Sequence, residues 1–131
     1  MNAIKLMAMF EGLTKAKIKD MILTDAKVFF VVQENEIAKA IGKEGINVKR
    51  LEARLNKRVR IIEYSGDVKR FIANVIFPLK VANIEEREKT YLLTPMDARV
   101  RKLLIGRAAV NLRLYESIIK RFYDIKELRV V

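Results

Sequence analysis

The chain has 131 residues, room for one medium hydrophobic core or two small ones, which excludes a large multidomain enzyme. Its 27 Lys and Arg against 16 Asp and Glu give a formal charge of +11, and the 51% hydrophobic content places that charge on a folded surface rather than in a disordered tail. With no Cys and no His, and with Ser65 and Ser117 outside any nucleophile-elbow pattern, no catalytic residue, metal or cofactor is expected.

The first expected partner is a polyanion, nucleic acid ahead of an acidic membrane surface. No window holds enough uninterrupted apolar residues to span a bilayer, and Met1 to Lys5 lacks a secretory layout, so no membrane association and a cytoplasmic location are expected.

In chain order, Ile4, Met7, Phe10 and Leu13, with Ala8 beside them, predict a helix ending near Gly12 to Lys15. Ala16 to Leu23 and Lys27 to Val32 read as a hairpin about Thr24-Asp25, the second arm rich in Phe and Val. Asn35 is placed to cap a short helix carrying Ile37 and Ile41. After Gly42 to Gly45 a second helix has Val48, Leu51 and Leu55 as its apolar stripe, with Lys49, Arg50, Arg54 and Lys57 largely off it. Arg58 to Tyr64 is β-rich and stops at the turn Ser65-Gly66-Asp67. The run from Asp67 to Phe77 reads as a connecting helix halted by Pro78.

Beyond it, Leu79 to Ile84 and Glu88 to Thr94 predict two strands about an acidic turn at Glu85-Glu86. Thr94-Pro95-Met96-Asp97 offers a hydroxyl cap, a proline at the first helical position and a following carboxylate, for a helix running to Ile105. A further helix carries Leu112, Tyr115, Ile119 and Phe122 on one side, and Leu128 to Val131 closes the chain as a strand. The expected division is 1–78 and 79–131, both basic, at +6 and +5.

The order of elements repeats, and so does a motif. At an offset of 64, Ile41, Gly42, Lys43, Ile46, Asn47, Val48, Lys49 and Leu55 match Ile105, Gly106, Arg107, Val110, Asn111, Leu112, Arg113 and Ile119, which suggests two copies of one unit. Each copy is expected to pack its helices on its own three-stranded sheet. Gly42 and Gly45 carry no Cβ, so a phosphate backbone could reach the main chain where the amides opening the next helix favour an anion. Lys43 and Lys49 add charge there, and Ile37, Ile41 and Ile46 could wall a groove for splayed bases, which suits a single strand and not a duplex. The plainer alternative is that Gly42 ends one helix and Gly45 permits a tight turn into the next.

Ile41-Gly42-Lys43-Glu44-Gly45-Ile46-Asn47-Val48-Lys49-Arg50 resembles the signature loop of a KH RNA-binding domain, and the element order resembles the type II, prokaryotic form. Two such domains with almost nothing else resemble the archaeal NusA-like transcription factors, which correspond to the KH region of bacterial NusA. The resemblance implies an α+β fold of two tandem type II KH domains, each a three-stranded sheet packed against helices. It also implies single-stranded RNA binding in elongation, pausing or termination, RNA polymerase as a further partner, and a monomer. By position it assigns RNA contact to Ile41, Gly42, Lys43, Glu44, Gly45, Ile46, Asn47, Lys49 and Arg50, and in the second copy to Gly106, Arg107, Ala108, Ala109, Asn111 and Arg113. Ala109 departs from the pattern, because its Cβ disfavours positive φ.

Lys15, Lys17 and Lys19 read first as guards of an edge strand, while Arg58 and Arg60 flank the strand nearest the presumed groove and read evenly as solvated charge or as RNA contacts. Phe29, Phe30, Phe71, Phe77, Tyr115 and Phe122 are expected in the core; Tyr64 and Tyr91 are left open. Two rival functions remain: a helix-turn-helix DNA reader over residues 35–56, and a protein-interaction module that docks on RNA polymerase or a ribonucleoprotein and binds RNA only generically. A nuclease would need clustered carboxylates, and Glu85, Glu86 and Glu88 form the only dense group.

Overall fold

The computed structural model describes residues 2–131. The chain divides into two compact units, residues 1–65 and 66–131.

The first unit starts with α1 (Ala3–Thr14), which Asn2 caps by accepting from the Lys5 amide and which Lys15 ends in the left-handed region at φ 64. Its buried face is Leu6, Phe10 and Thr14, flanked by Met7 and Leu13. The expected stripe is therefore rotated, leaving Ile4 76% exposed. The Phe10 ring fixes that rotation, stacking on Phe30 of the sheet with centroids 4.4 Å apart. Thr14 is buried at no polar cost, since its Oγ1 donates to the Phe10 carbonyl and accepts from the Ala16 amide.

Next come β1 (Ile18–Leu23), β2 (Lys27–Val32), α2 (Ile37–Ile41), α3 (Ile46–Leu55) and β3 (Arg58–Glu63). The sheet order is β1-β2-β3. The two-residue-scale turn after β1 enforces antiparallel pairing with β2, while β3 returns through two helices and pairs parallel. As the central strand, β2 is buried from Val28 to Val32, as its Val-Phe-Phe-Val-Val sequence requires. Val28, Phe30 and Val32 face α1 and α3, where Leu51 completes the core and Val48 and Leu55 lie at its margin. Asn35 does not cap α2: it sits at φ 68, its amide donates to Glu63 Oε2, and the residue at the cap is Glu36.

The second unit repeats the order with α4 (Val68–Ile76), β4 (Val81–Arg87), β5 (Thr90–Pro95), α5 (Ala98–Ile105), α6 (Val110–Lys120) and β6 (Glu127–Val130), in the sheet order β4-β5-β6. The helix expected to finish a domain ending at residue 78 instead opens this unit. It packs on α6 and sets Phe71 edge-on to Phe122 at 5.2 Å. Even the irregularities repeat, with a register shift between Ile18 and Asp20 in β1 and between Val81 and Asn83 in β4.

Three local expectations change here. Glu85 and Glu86 lie inside β4, and the turn is at Glu88 and Lys89, both at positive φ, with the Lys89 amide held by Glu86 Oε2. Thr94 does not cap α5, because β5 stays extended through Asn83–Thr94 and Val81–Pro95 pairing; Asp97 is the cap and accepts from Val100. Pro95 is tolerated in the central strand because it lies opposite the β4 irregularity. Phe77, expected in the core, is 59% exposed, since α4 ends one residue before it. Phe29, Phe30 and Phe71 are buried, and Tyr115 and Phe122 half-buried.

Candidate nucleic-acid interface

α2 ends at Ile41 and the chain turns through Gly42 at φ 77, ψ 170, a region essentially reserved for glycine. A Cβ there would lie 2.8 Å from Asn47 Nδ2. That amide nitrogen is committed inward, donating to the Lys39 carbonyl at 3.2 Å and so pinning the end of α2 to the start of α3. Glu44 follows at φ 56, ψ 28 and Gly45 at φ 72, ψ 19, after which Ile46 begins α3.

The second loop follows the same path. Gly106 has φ 73, ψ 177, a Cβ on it would lie 2.7 Å from Asn111 Cγ, and Asn111 Nδ2 donates to the Leu103 carbonyl at 3.0 Å. Ala108 sits at φ 53, ψ 32 and Ala109 at φ 60, ψ 22. The Cβ of Ala109 thus does not prevent the turn; it imposes a left-handed strain of about 1–2 kcal/mol that Gly45 avoids. The first and last loop glycines therefore have different work. Gly42 and Gly106 make room for the asparagine that pins each loop, whereas a Cβ on Gly45 would have no atom within 4 Å and would point into open space.

The electrostatics of the turn also repeat. Asn2, Asp67 and Asp97 cap α1, α4 and α5, but no side chain caps α3 or α6. Loop carbonyls take the amides that enter these two helices, Gly45 and Ile46 donating to Gly42 and Lys43, and Ala109 and Val110 to Gly106 and Arg107, so what each helix start offers an anion is chiefly its positive dipole end. Lys43, Glu44, Lys49 and Arg50 are exposed around the first loop and Arg107, Ala108 and Arg113 around the second. Ile46 and Val110, the first residues of α3 and α6, are 39% and 61% exposed, and Ile37 and Ile41 are half-buried. Asn47 is the exception among the assigned residues of the first loop, being buried; Arg113 is engaged with Glu116 at 2.6 Å. Lys17 and Lys19 flank or lie in the edge strand β1, with Lys19 Nζ 4.3 Å from the Tyr64 ring centre.

Two residues that the sequence reading passed over hold each loop's helix to its sheet. Glu52 Oε2 accepts from the Val59 amide at 3.0 Å, and Glu116 Oε2 accepts from the Leu128 amide at 2.9 Å. Glu116 is buried and is further compensated by Arg113 and, at 3.7 Å, by Lys120. The signal was available, since the offset of 64 that aligns the glycines also aligns these two glutamates. Elsewhere in the first unit, the hydrogen bond from the Lys17 amide holds the Glu36 carboxyl below the ordinary glutamate range, with the Lys39 ammonium assisting. Among the described residues, no group of three or more carboxylates is arranged to hold a metal ion, and no helix is long and apolar enough to cross a membrane.

A helix-strand-strand-helix-helix-strand unit with a glycine loop between its paired helices is the arrangement of one known family, and the KH domain model matches residues 7–89. The chain belongs to the KH-domain family. The KH match takes in the first unit from α1 onward and runs into β4 and its turn. Over 125 residues the chain is 33% identical to the "Probable transcription termination protein NusA" of Methanocaldococcus jannaschii, covering 93% of this chain and 68% of that one. The protein of the same name from Halococcus morrhuae is 31% identical over 131 residues, covering 98% of this chain and 94% of its own. By these likenesses the chain groups with the archaeal NusA-like proteins. The solved structure described as "Crystal structure of APE1850" has a TM-score of 0.77 at 21% identity over 98% of this chain and 97% of that one, a likeness of fold.

Proposed function

We propose that this KH protein is a single-stranded RNA-binding transcription factor of NusA type, acting on elongation, pausing or termination and meeting RNA polymerase in that role. The observation that carries the reading is the repeated loop: two uncapped helix starts preceded by the same left-handed turn, open to solvent at Gly45 and edged by Lys43, Lys49 and Arg50. A phosphodiester brought to Gly45 meets the positive end of the α3 dipole and lysine charge together. Bases splayed from that backbone meet Ile37, Ile41 and Ile46 rather than more charge. In the second unit Gly106, Arg107, Ala108 and Ala109 play the corresponding part, with Arg113 shared between RNA and Glu116. Asn47 and Asn111 serve binding by holding the loops in shape. The names of the archaeal relatives support the transcriptional role.

The test compares a short single-stranded RNA pool with a matched DNA duplex across a salt series, using the wild-type chain and a Lys43→Asp, Glu44→Asp variant. Asp tolerates the left-handed conformation that Glu44 adopts, so the loop keeps its path. Tighter binding of the single strand, lost in the folded variant, is the expected result. Preference for the duplex would point to the helix-turn-helix reading, and weak binding indifferent to the variant would point to a protein-docking module.

A further inference from the structure

At the opposite end of α3 from its glycine loop, the first unit has a second concave surface. The chain leaves α3 through Asn56 at φ 53 and enters β3 at Arg58. Parallel pairing sets Lys27 of β2 directly beside Arg58, and Lys57 and Arg60 join them in lining a cleft of about 780 Å³ together with Asn56 and Glu52. Four cations and one carboxylate thus line the cleft; Arg60 has a partner of its own, and Glu52 Oε2 is taken by the Val59 amide.

Like charges opposite one another on neighbouring strands cost stability, so this grouping calls for a reason outside the fold. The second unit shows that the fold does not need it. There the register position of Lys27 and Arg58 is taken by Thr90 and Glu127, and the arginine two residues on, Arg129, is neutralised by Glu127 at 2.6 Å. Elsewhere Lys39, Arg87, Lys89 and Lys120 also have carboxylate partners. Among the described residues, Lys27, Lys57 and Arg58 form no ion pair. Lys57 Nζ donates to the Thr24 carbonyl at 3.0 Å, which fixes the ammonium at the rim with two further hydrogens to give. The lining is mainly polar and cationic, with Ala26 and Val59 its apolar residues and no aromatic ring to stack a base, so the ligand chemistry is that of an oxyanion.

We infer that this cleft is a second phosphate site, taking phosphodiester groups of the same RNA strand that the Gly42–Gly45 loop holds. The inference rests on the RNA-binding reading above and extends it. The ten residues of α3 separate loop and cleft by about 15 Å, and the roughly four nucleotides that a KH loop clamps are assigned to the loop side of that gap. A longer strand reaches it.

The experiment measures fluorescence anisotropy of a tetranucleotide and of an RNA about three times as long, over a potassium chloride series, with wild type and a Lys27→Gln, Arg58→Gln variant. Thermal unfolding confirms that the variant is folded. The expected result is an unchanged tetranucleotide affinity, a loss of about tenfold for the longer RNA near 0.15 M salt, and a salt slope shallower by about 1.4, the value for two lost phosphate contacts. Equal loss for both lengths would overturn the assignment, because it would place these cations at the loop site or in a general field. No loss for either length would also overturn it and would leave an acidic protein segment as the occupant. The RNA-binding reading itself fails by a different sign: wild type would bind neither RNA better than duplex, and Lys43→Asp, Glu44→Asp would leave the tetranucleotide unaffected.

Discussion

Alanine at Gly42 and alanine at Gly45 should have opposite consequences, although the residues lie in one turn. At Gly42 the new Cβ must occupy φ 77, ψ 170, at a cost of about 1–3 kcal/mol, and it must displace the Asn47 amide that would lie 2.8 Å away. Displacement forfeits the hydrogen bond to Lys39, roughly another 1 kcal/mol. The sum is a destabilisation of about 2–4 kcal/mol. At Gly45 nothing is struck, and the left-handed cost of about 1–2 kcal/mol is partly offset by the lower entropy of the unfolded chain, leaving about 1 kcal/mol or less. RNA affinity should reverse the order: Gly45→Ala raises a methyl where a phosphate would approach, on a protein that is still folded. Urea denaturation measures the first effect and RNA titration the second. A double-mutant cycle adds a stricter check, since Gly42→Ala should cost less in an Asn47→Ala background, with a coupling of about 1 kcal/mol. Equal destabilisation by the two alanines, or no coupling to Asn47, would refute the division of labour between the glycines.

Other expectations follow from single contacts. Glu116→Ala strips the Leu128 amide, Arg113 and Lys120 of their acceptor, and should cost about 1–3 kcal/mol in urea, more than Glu52→Ala, whose carboxylate serves Val59 alone. The reverse ranking would contradict the burial of Glu116. Phe10→Ala removes the ring stacked on Phe30 and should cost about 3–5 kcal/mol; a change under about 1 kcal/mol would mean that α1 is not seated as described. Glu36 should titrate below the ordinary glutamate range in an NMR pH series, because the Lys17 amide and Lys39 favour its charged form. As a carboxyl depressed in the folded state, it supports the fold at neutral pH. That support declines as pH falls below the unfolded glutamate value and is gone below the folded one. An ordinary midpoint would show that the Lys17 contact is not maintained.

The order of elements was legible because each strand and helix carries its own period, and the glycine turn was legible twice because it recurs at a fixed offset. Ala109 looked like a defect in sequence, yet a single left-handed alanine costs less than rebuilding a loop already pinned by Asn111. What escaped sequence reading depends on partners distant along the chain. Thr94 and Asp97 are both sound caps by local pattern, and only the pairing of Thr94 with Asn83 decides between them. Glu85 and Glu86 look like a turn, but they lie on an edge strand, where exposed charge is tolerated. Asn47 reads as a polar ligand-binding group until its amide is seen bonded to Lys39, and Glu52 reads as solvated until Val59 folds back against it. Lys27 and Arg58 lie more than thirty residues apart in sequence and become neighbours only through parallel register.

The most direct test of the loop as an RNA clamp is amide chemical-shift mapping by NMR as an unlabelled tetranucleotide RNA is added to the labelled chain. The largest shifts should fall on Lys43, Glu44, Gly45 and Ile46, with a second, weaker set on Arg107, Ala108, Ala109 and Val110, reflecting the added Cβ of Ala109. If binding is detected while the amides of both loops stay silent, the loops are turns of the fold and the RNA surface lies elsewhere.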